Sequence, residues 1–429
     1  MIQKTRMIYE TYEKPPFSKG ILLSFQHVFA MFGATILVPL ILGLSVSTAL
    51  LASGIGTLVF LTVTQFKMPV YLGSSFAYIS AMAIAKEQLG GDIAAAQTGI
   101  MLVGLVYMAV AGIIAISGSE WLTKLLPPIV IGPMIIVIGL GLAGSAVTNA
   151  GFVENTNWRE VVAALVTFMT AALINVRGRG FIKVIPFLIA IIVGYIVAVF
   201  LGIVDFEPVL QADWVSLPDF SLPFATSFAK GPQYHLYFGP EALAIIPIAF
   251  VTIAEHMGDV MVLSEITDHK FMEEPGIHRS IFGDGLASLI SAFIGGPANT
   301  TYGENTGVVG LTRTASVSVI RNAAIIAIAL SFLGKFTAMI STIPASVLGG
   351  MSILLYGVIA SNGLKVLIKD QTDFNNPRNL IIASAMLVIG LGGAVLELGT
   401  ALVLSGTALS ALVGVILNLI LPEGTPTQD

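Results

Sequence analysis

Three acidic side chains stand where an acid is costly to keep. Glu255 and Asp259 lie four residues apart in the apolar run 240–264, and Glu304 opens Glu304-Asn305-Thr306-Gly307 between runs long enough to cross a bilayer. A carboxylate at membrane depth is expensive and marks a functional site by default. Spaced by four, Glu255 and Asp259 share a helix face, and two close carboxylates without a cation suit a proton carrier. When ionised they accept from N–H donors; when protonated they donate to a carbonyl. The 429 residues include no cysteine, which excludes disulfides, thiolate metal sites and cysteine nucleophiles. No metal-spaced histidine set accompanies the acids, so neither an enzyme nor a cofactor or metal site is expected.

Glu304 sits in backbone that does not read as an ordinary spanning helix. The residues before it, Asn299-Thr300-Thr301-Tyr302-Gly303, are small or β-branched and read as extended. Irregular backbone at membrane depth survives only where protein or a water-filled cavity surrounds it. A matching stretch, Gly73-Ser74-Ser75-Phe76-Ala77-Tyr78 after Pro69, occurs in the first half. Such segments expose amides to a ligand, and the helices that follow aim their positive ends at it.

The rest of the chain supplies the scaffold. It is 55% hydrophobic and 10% charged, with a mean hydropathy of +0.91, whereas a soluble domain holds about 25% charged residues. It is therefore a polytopic membrane protein, and the lipid bilayer is its first partner. A window of about 20 residues gives candidate spans at 21–44, 48–66, 70–85, 93–117, 125–147, 160–176 and 181–204. After a polar connection come 240–264, 281–296, 301–317, 319–340, 345–368, 378–396 and 399–421. The run Ile21 to Leu44 is too long for the apolar part of a cleaved signal, so it counts as the first span.

With the amino terminus cytoplasmic, only Lys86, Arg159, Lys230 and Lys335 of the twenty lysines and arginines fall outside. That bias is expected of a multi-pass cell-membrane protein with both termini cytoplasmic. The net charge of −5 comes with no basic patch, so no nucleic-acid partner is expected. The acidic, proline-bearing stretch 205–239 becomes an external loop.

The two halves also share sequence. Pro127, Val130, Gly132, Met134 and Ala143 recur as Pro344, Val347, Gly349, Met351 and Ala360 at a constant offset of 217, and Gln26-His27 recurs as Glu255-His256 at an offset of 229. An odd number of spans per copy makes the copies inverted in the membrane. The expected fold class is an all-α polytopic membrane protein of fourteen transmembrane segments in two inverted seven-segment repeats, with short extended segments interrupting spans 3 and 10. Inverted repeats favour a transporter over a membrane enzyme.

Glu304-Asn305-x-Gly307-x4-Thr312-Arg313 resembles the signature of the nucleobase–ascorbate transporter family, also called nucleobase:cation symporter-2, and Gln26-His27 is similar to its first-span motif. Tyr71-Leu72-Gly73-Ser74-Ser75-Phe76-Ala77, Ala254-Glu255-His256 and Leu355-Tyr356-Gly357 resemble that family's bacterial uracil permeases. The resemblance runs from about Ser24 to the last span. It implies a core domain from 21–117 and 240–340, a gate domain from 118–204 and 341–421, cytoplasmic ends at 1–20 and 422–429, and the external loop 205–239. It also implies alternating access, proton-coupled uracil uptake and a homodimer.

By the same resemblance, uracil contacts fall on Glu255 and Glu304, with backbone amides near Phe76 and Gly303, and Ser75 beside them. Ala34, Tyr302 and Tyr356 would line the pocket. Asp259 would join Glu255 in proton coupling, and Gln26, His27 and Asn305 would support the site. Uracil presents N–H donors and carbonyl acceptors, which carboxylates, a protonated carboxyl and free amides complement; aromatic side chains add a stacking surface. Some uracil permeases carry histidine where this chain has Asp259. Purine and xanthine members tend to carry glutamine where this chain has Glu304, so uracil is expected over xanthine or ascorbate, with a xanthine, purine or other nucleobase symporter of the same family as the alternative. An anion transporter of the same architecture would be expected to show a cationic or neutral site. Asp284 reads as a helix cap or a core contact, Arg313 as an inside-face anchor, and Glu273, Glu274 and Asp370 as solvated loop charges.

Overall fold

The computed structural model describes residues 6–226, 229, 231–398 and 402–422. Lys4, Lys230, the head of the last expected span at 399–401 and the tail beyond 422 lie outside the described residues. Apolar sequence becomes helix here because hydrocarbon offers the backbone no other hydrogen-bond partner. Among the described residues, seven helices are long and apolar enough to cross a membrane: Phe17–Leu42, Val46–Val63, Ala94–Ser117, Pro128–Asn149, Trp158–Arg177, Pro240–Thr267 and Ala345–Lys369. An eighth is reached if Val317–Ser331 and Gly334–Ser341, bent by 83° at a break, form one broken span.

Pro186–Phe200, Pro377–Leu391 and Gly406–Ile420 are apolar but 15 residues long. At ~1.5 Å per residue that is about 22 Å, short of a hydrocarbon core of about 30 Å. The protein is thus a multi-pass, mainly helical membrane protein with fewer full-length helices than the fourteen segments read from sequence. Part of the difference is local. Segments 70–85 and 301–317 are each divided between strand and short helix, and segment 281–296 is a 17-residue helix, Ile277–Phe293.

Small residues let the helices touch. A Cβ on Gly104 would meet the Gly285 carbonyl oxygen, and one on Gly285 would meet that of Gly104. Helices Ala94–Ser117 and Ile277–Phe293 therefore cross backbone to backbone, which matters where lipid removes the hydrophobic drive between helices. Phe17–Leu42, Val46–Val63 and Val317–Ser331 belong to the same packed set. A second set, Pro128–Gly141, Trp158–Arg177, Pro186–Phe200, Ala345–Lys369, Pro377–Leu391 and Gly406–Ile420, packs mainly within itself.

Short strands interrupt the helices where the sequence turns small and β-branched. β1 (Leu72–Ser74) pairs antiparallel with β2 (Asn299–Thr301), setting Leu72 opposite Thr301, Gly73 opposite Thr300 and Ser74 opposite Asn299. β1 leads into a 3-10 turn, Phe76–Tyr78, and then helix Ile79–Gln88; β2 leads into helix Gly303–Thr312. A second antiparallel pair, β3 (Val395–Leu398) with β4 (Leu402–Ser405), precedes the last helix.

Residues 8–10, ahead of the first helix, are docked. Ile8 N donates to the Arg313 carbonyl at 2.7 Å, Ala315 N donates to that of Tyr9 at 2.8 Å, and Glu10 Oε2 lies 2.9 Å from His269 Nε2. Lys67 Nζ reaches Glu274 Oε1 at 2.6 Å. That hydrogen bond and the lysine's charge hold the exposed Glu274 carboxyl below its ordinary value.

Candidate binding site

Helix Ile248–Thr267 carries Glu255 and Asp259 one turn apart, and both line a cavity of about 260 Å3. Glu304 reaches the same cavity as the second residue of helix Gly303–Thr312. Ser75, Phe76, Tyr302 and Gly303 also line it. Phe187, Leu355 and Ile359, from helices of the second set, add an apolar wall. Glu255 is exposed into this space, whereas Asp259 and Glu304 are half-buried.

The first residue of the 3-10 turn, Phe76, and the first residue of the second short helix, Gly303, both line the cavity. A helix start leaves its first amides without intrahelical partners and adds partial positive charge. One enclosure therefore offers carboxylate oxygens, amide donors and an aromatic face. That set complements a small flat ligand with both N–H and C=O groups.

The strand crossing is held by specific bonds. Ser75 N donates to the Ala298 carbonyl at 2.8 Å and Tyr302 N to that of Tyr71 at 3.1 Å. The Tyr302 hydroxyl donates to the Ser74 carbonyl at 2.9 Å and accepts from Thr35 Oγ1 at 3.2 Å, so Tyr302 fastens the crossing to helix Phe17–Leu42. Its ring lies against Gly73, where any Cβ would collide with the ring and with the Thr35 hydroxyl. Thr301 Oγ1 donates to Asp259 Oδ2 at 2.8 Å, which joins β2 to the helix bearing two of the acids.

His27 and Asn305 are buried together. Asn305 Nδ2 donates to the His27 carbonyl and approaches its Nδ1, each at 3.1 Å. An amide nitrogen cannot accept, so Nδ1 is the acceptor and the ring proton is assigned to Nε2. This pair ties the first helix to the helix carrying Glu304. Gln26, one residue earlier, is half-buried and is not among the lining residues. Ala34 lines a smaller void that it shares with Glu304 and Leu355. Tyr356 is buried, and its neighbour Leu355 lines the main cavity from that helix.

His256 follows Glu255 in sequence but makes its contacts elsewhere. Its Nδ1 lies 3.3 Å from Asp284 Oδ2 and its Nε2 2.9 Å from Ser280 Oγ, with all three residues buried. Asp284 is mid-helix in Ile277–Phe293, hence a core contact and not a cap. Sequence reasoning did not find the Thr301–Asp259 bond or the wall residue Phe187. The first had a weak signal, a hydroxyl on an extended segment beside the acids; the second had none, since nothing near position 187 refers to the site.

A family model described as the Permease family matches residues 18–399. The chain is 50% identical over 417 residues to the uracil permease of Bacillus caldolyticus, covering 97% of this chain and 95% of that one. It is 42% identical over 420 residues to the uracil permease of Escherichia coli strain K12, covering 97% and 94% respectively. Among solved structures, the murine Solute Carrier 26 family member A9 anion transporter in the inward-facing state is similar with a TM-score of 0.68. At 14% identity over 95% of this chain and 68% of that one, this is a likeness of fold alone.

Proposed function

The chain belongs to the Permease family, the nucleobase–ascorbate transporters, and from that premise we propose that it imports uracil together with a proton across the cell membrane. The observation that carries the proposal is the convergence of Glu255, Asp259 and Glu304 with the turn at Phe76 and the helix start at Gly303 on one cavity. In this reading ionised Glu304 accepts from a uracil N–H, and protonated Glu255 donates to a uracil carbonyl. Amides at Phe76 and Gly303 supply further donors, and Phe76 offers its face to the ring. Uracil that prefers the protonated site raises the site's affinity for the proton by the same factor, and this reciprocity is the coupling.

The two packed sets of helices support alternating access. We assign 21–117 and 240–340 to a core that holds the cargo, and 118–204 and 341–421 to a gate against which the core moves. The wall formed by Phe187, Leu355 and Ile359 suits a gate surface, because apolar contact does not tie the ligand to one position. In the fourteen-segment inverted repeat, the elements around β1 and β2 are segments three and ten. Contacts near the helix ends support the sidedness. Lys335, assigned outside, donates to the Val209 carbonyl in the external loop at 2.8 Å. Arg378, assigned inside, donates to the Asn418 carbonyl near the carboxyl end at 2.7 Å. A homodimer is the assembly the family implies.

An anion carrier shares the fold, but three acids in the cavity repel an anionic cargo. Proteoliposomes holding the purified protein should accumulate labelled uracil when an inward proton gradient is imposed and should cease to do so when it is collapsed. Glu255→Gln keeps the shape of a protonated carboxyl and a donor, so it should retain some uracil exchange and lose accumulation. A gradient-independent conductance would indicate a channel. Wild-type accumulation and pH dependence in Glu255→Gln would move the proton to Asp259 or Glu304.

A further inference from the structure

The bond from Thr301 to Asp259 has a rigid mount at its donor end. Thr301 is paired with Leu72 across the strand crossing, and the following amide, Tyr302 N, is bonded to the Tyr71 carbonyl. A β-branched side chain such as threonine is stiff at χ1, so the strand pair fixes where the hydroxyl points. On the acceptor side, Oδ2 of Asp259 is engaged at 2.8 Å, and Asp259 also lines the cavity. The charged and titratable groups acting on Asp259 are Glu255 and His256 on its own helix and Glu304 on the facing short helix. Among the described residues no lysine or arginine is one of them, and Thr301 supplies a neutral donor.

We infer that Thr301 is a positioning residue for proton-coupled transport: its hydroxyl ties Asp259 to the β1–β2 crossing, so that the acid beside Glu255 keeps one orientation relative to the segments that hold the cargo. This rests on the symport reading above. It assigns Asp259 a part in coupling through Thr301 and gives a strand residue a role that involves no direct bond to uracil. A carboxylate free to rotate between Glu255, Glu304 and water would exchange its proton without regard to whether the site is filled. One held in place exchanges through the cavity, where ligand and proton meet.

The test compares Thr301→Val, which keeps the β-branched shape and loses the hydroxyl, with Thr301→Ser, which keeps the hydroxyl. Both are measured in proteoliposomes for gradient-driven accumulation across external pH and, on the same protein, for uracil affinity. Thr301→Val should lose accumulation by about tenfold or more beyond any loss in affinity, the scale of one hydrogen bond to a charged group, and its pH profile should change. Thr301→Ser should restore both. Asp259→Asn should show the same phenotype, and adding Thr301→Val to it should change nothing further, as expected for two residues acting through one bond. Thr301→Ala serves the same purpose if the valine variant does not fold. If Thr301→Val stays as strongly coupled as a coupled wild type, or adds its full effect on top of Asp259→Asn, this inference is overturned while the symport reading stands. A wild type indifferent to the proton gradient would overturn both.

Discussion

The two strand-and-helix segments that meet at the cavity are alike in backbone and unlike in chemistry. Each has a three-residue strand and a ten-residue helix, and the strands pair with each other. The first brings Ser75 and Phe76 to the cavity and no charge. The second brings Glu304 and, through Thr301, holds Asp259. Their anchors differ too. The first enters its helix through a 3-10 turn, where the Tyr78 hydroxyl lies 2.6 Å from Thr252 Oγ1 on the helix of Glu255. The second starts at Gly303 and is held by the Asn305–His27 pair. Two similar strand-and-helix segments thus reach one cavity, and only the second brings a carboxylate of its own to it.

Loss of the charged side should cost most. Glu304→Gln replaces an acceptor with a group that can turn a donor towards a donor, and should weaken uracil binding by about 2–4 kcal/mol, roughly 30- to 1,000-fold. Calorimetry on folded protein measures it, and an unchanged affinity would take Glu304 out of the site.

The two segments should also differ in what their glycines tolerate. At Gly73 a methyl meets the Tyr302 ring, whereas at Gly303 nothing lies within 4 Å. Gly73→Ala should destabilise the protein by about 1–3 kcal/mol, the usual cost of overpacking, seen as a lower melting temperature. Gly303→Ala should leave melting unchanged and alter only uracil affinity, because the methyl meets no protein atom and Gly303 lines the cavity proposed to hold uracil. Equal melting of the two variants would break the claim that Gly73 is needed for the crossing.

The smallest effect belongs to the uncharged side. Phe76→Leu keeps apolar contact and loses the ring face, which should cost about 1 kcal/mol of binding, roughly fivefold. A loss as large as that of Glu304→Gln would show that the two segments share the load evenly.

Much of this contrast was legible before any folding. An acid within an apolar run is detectable from composition alone, and so were Glu255, Asp259 and Glu304. The helical period puts Glu255 and Asp259 on one face and sends the intervening His256 elsewhere, where it meets Asp284. The small and β-branched residues around Gly73 and Thr300 marked extended backbone, and strands occur there. Span number was less legible. Hydropathy registers apolar content and not helix length, so sequence does not distinguish the 15-residue helices, or the helix pair bent by 83° at a break, from full-length helices.

Sequence by itself therefore determined the class of protein, the presence of three costly acids and the two places at the cavity where helix gives way to strand, but not the β3–β4 pair, which lies where helical spans were expected at 378–396 and 399–421. Each of these is written in local composition or in a period of two or 3.6 residues. Only the tertiary structure decided which side chains share the cavity. Leu355 lines it and adjacent Tyr356 does not, because the rotation of that helix is set by its fit against a distant one, where a Cβ on Gly139 would strike the Tyr356 carbonyl and Ala360. Phe187 reaches the wall and Thr301 reaches Asp259 for the same reason. Steric fit between segments far apart in the chain leaves no trace in the local pattern of either one.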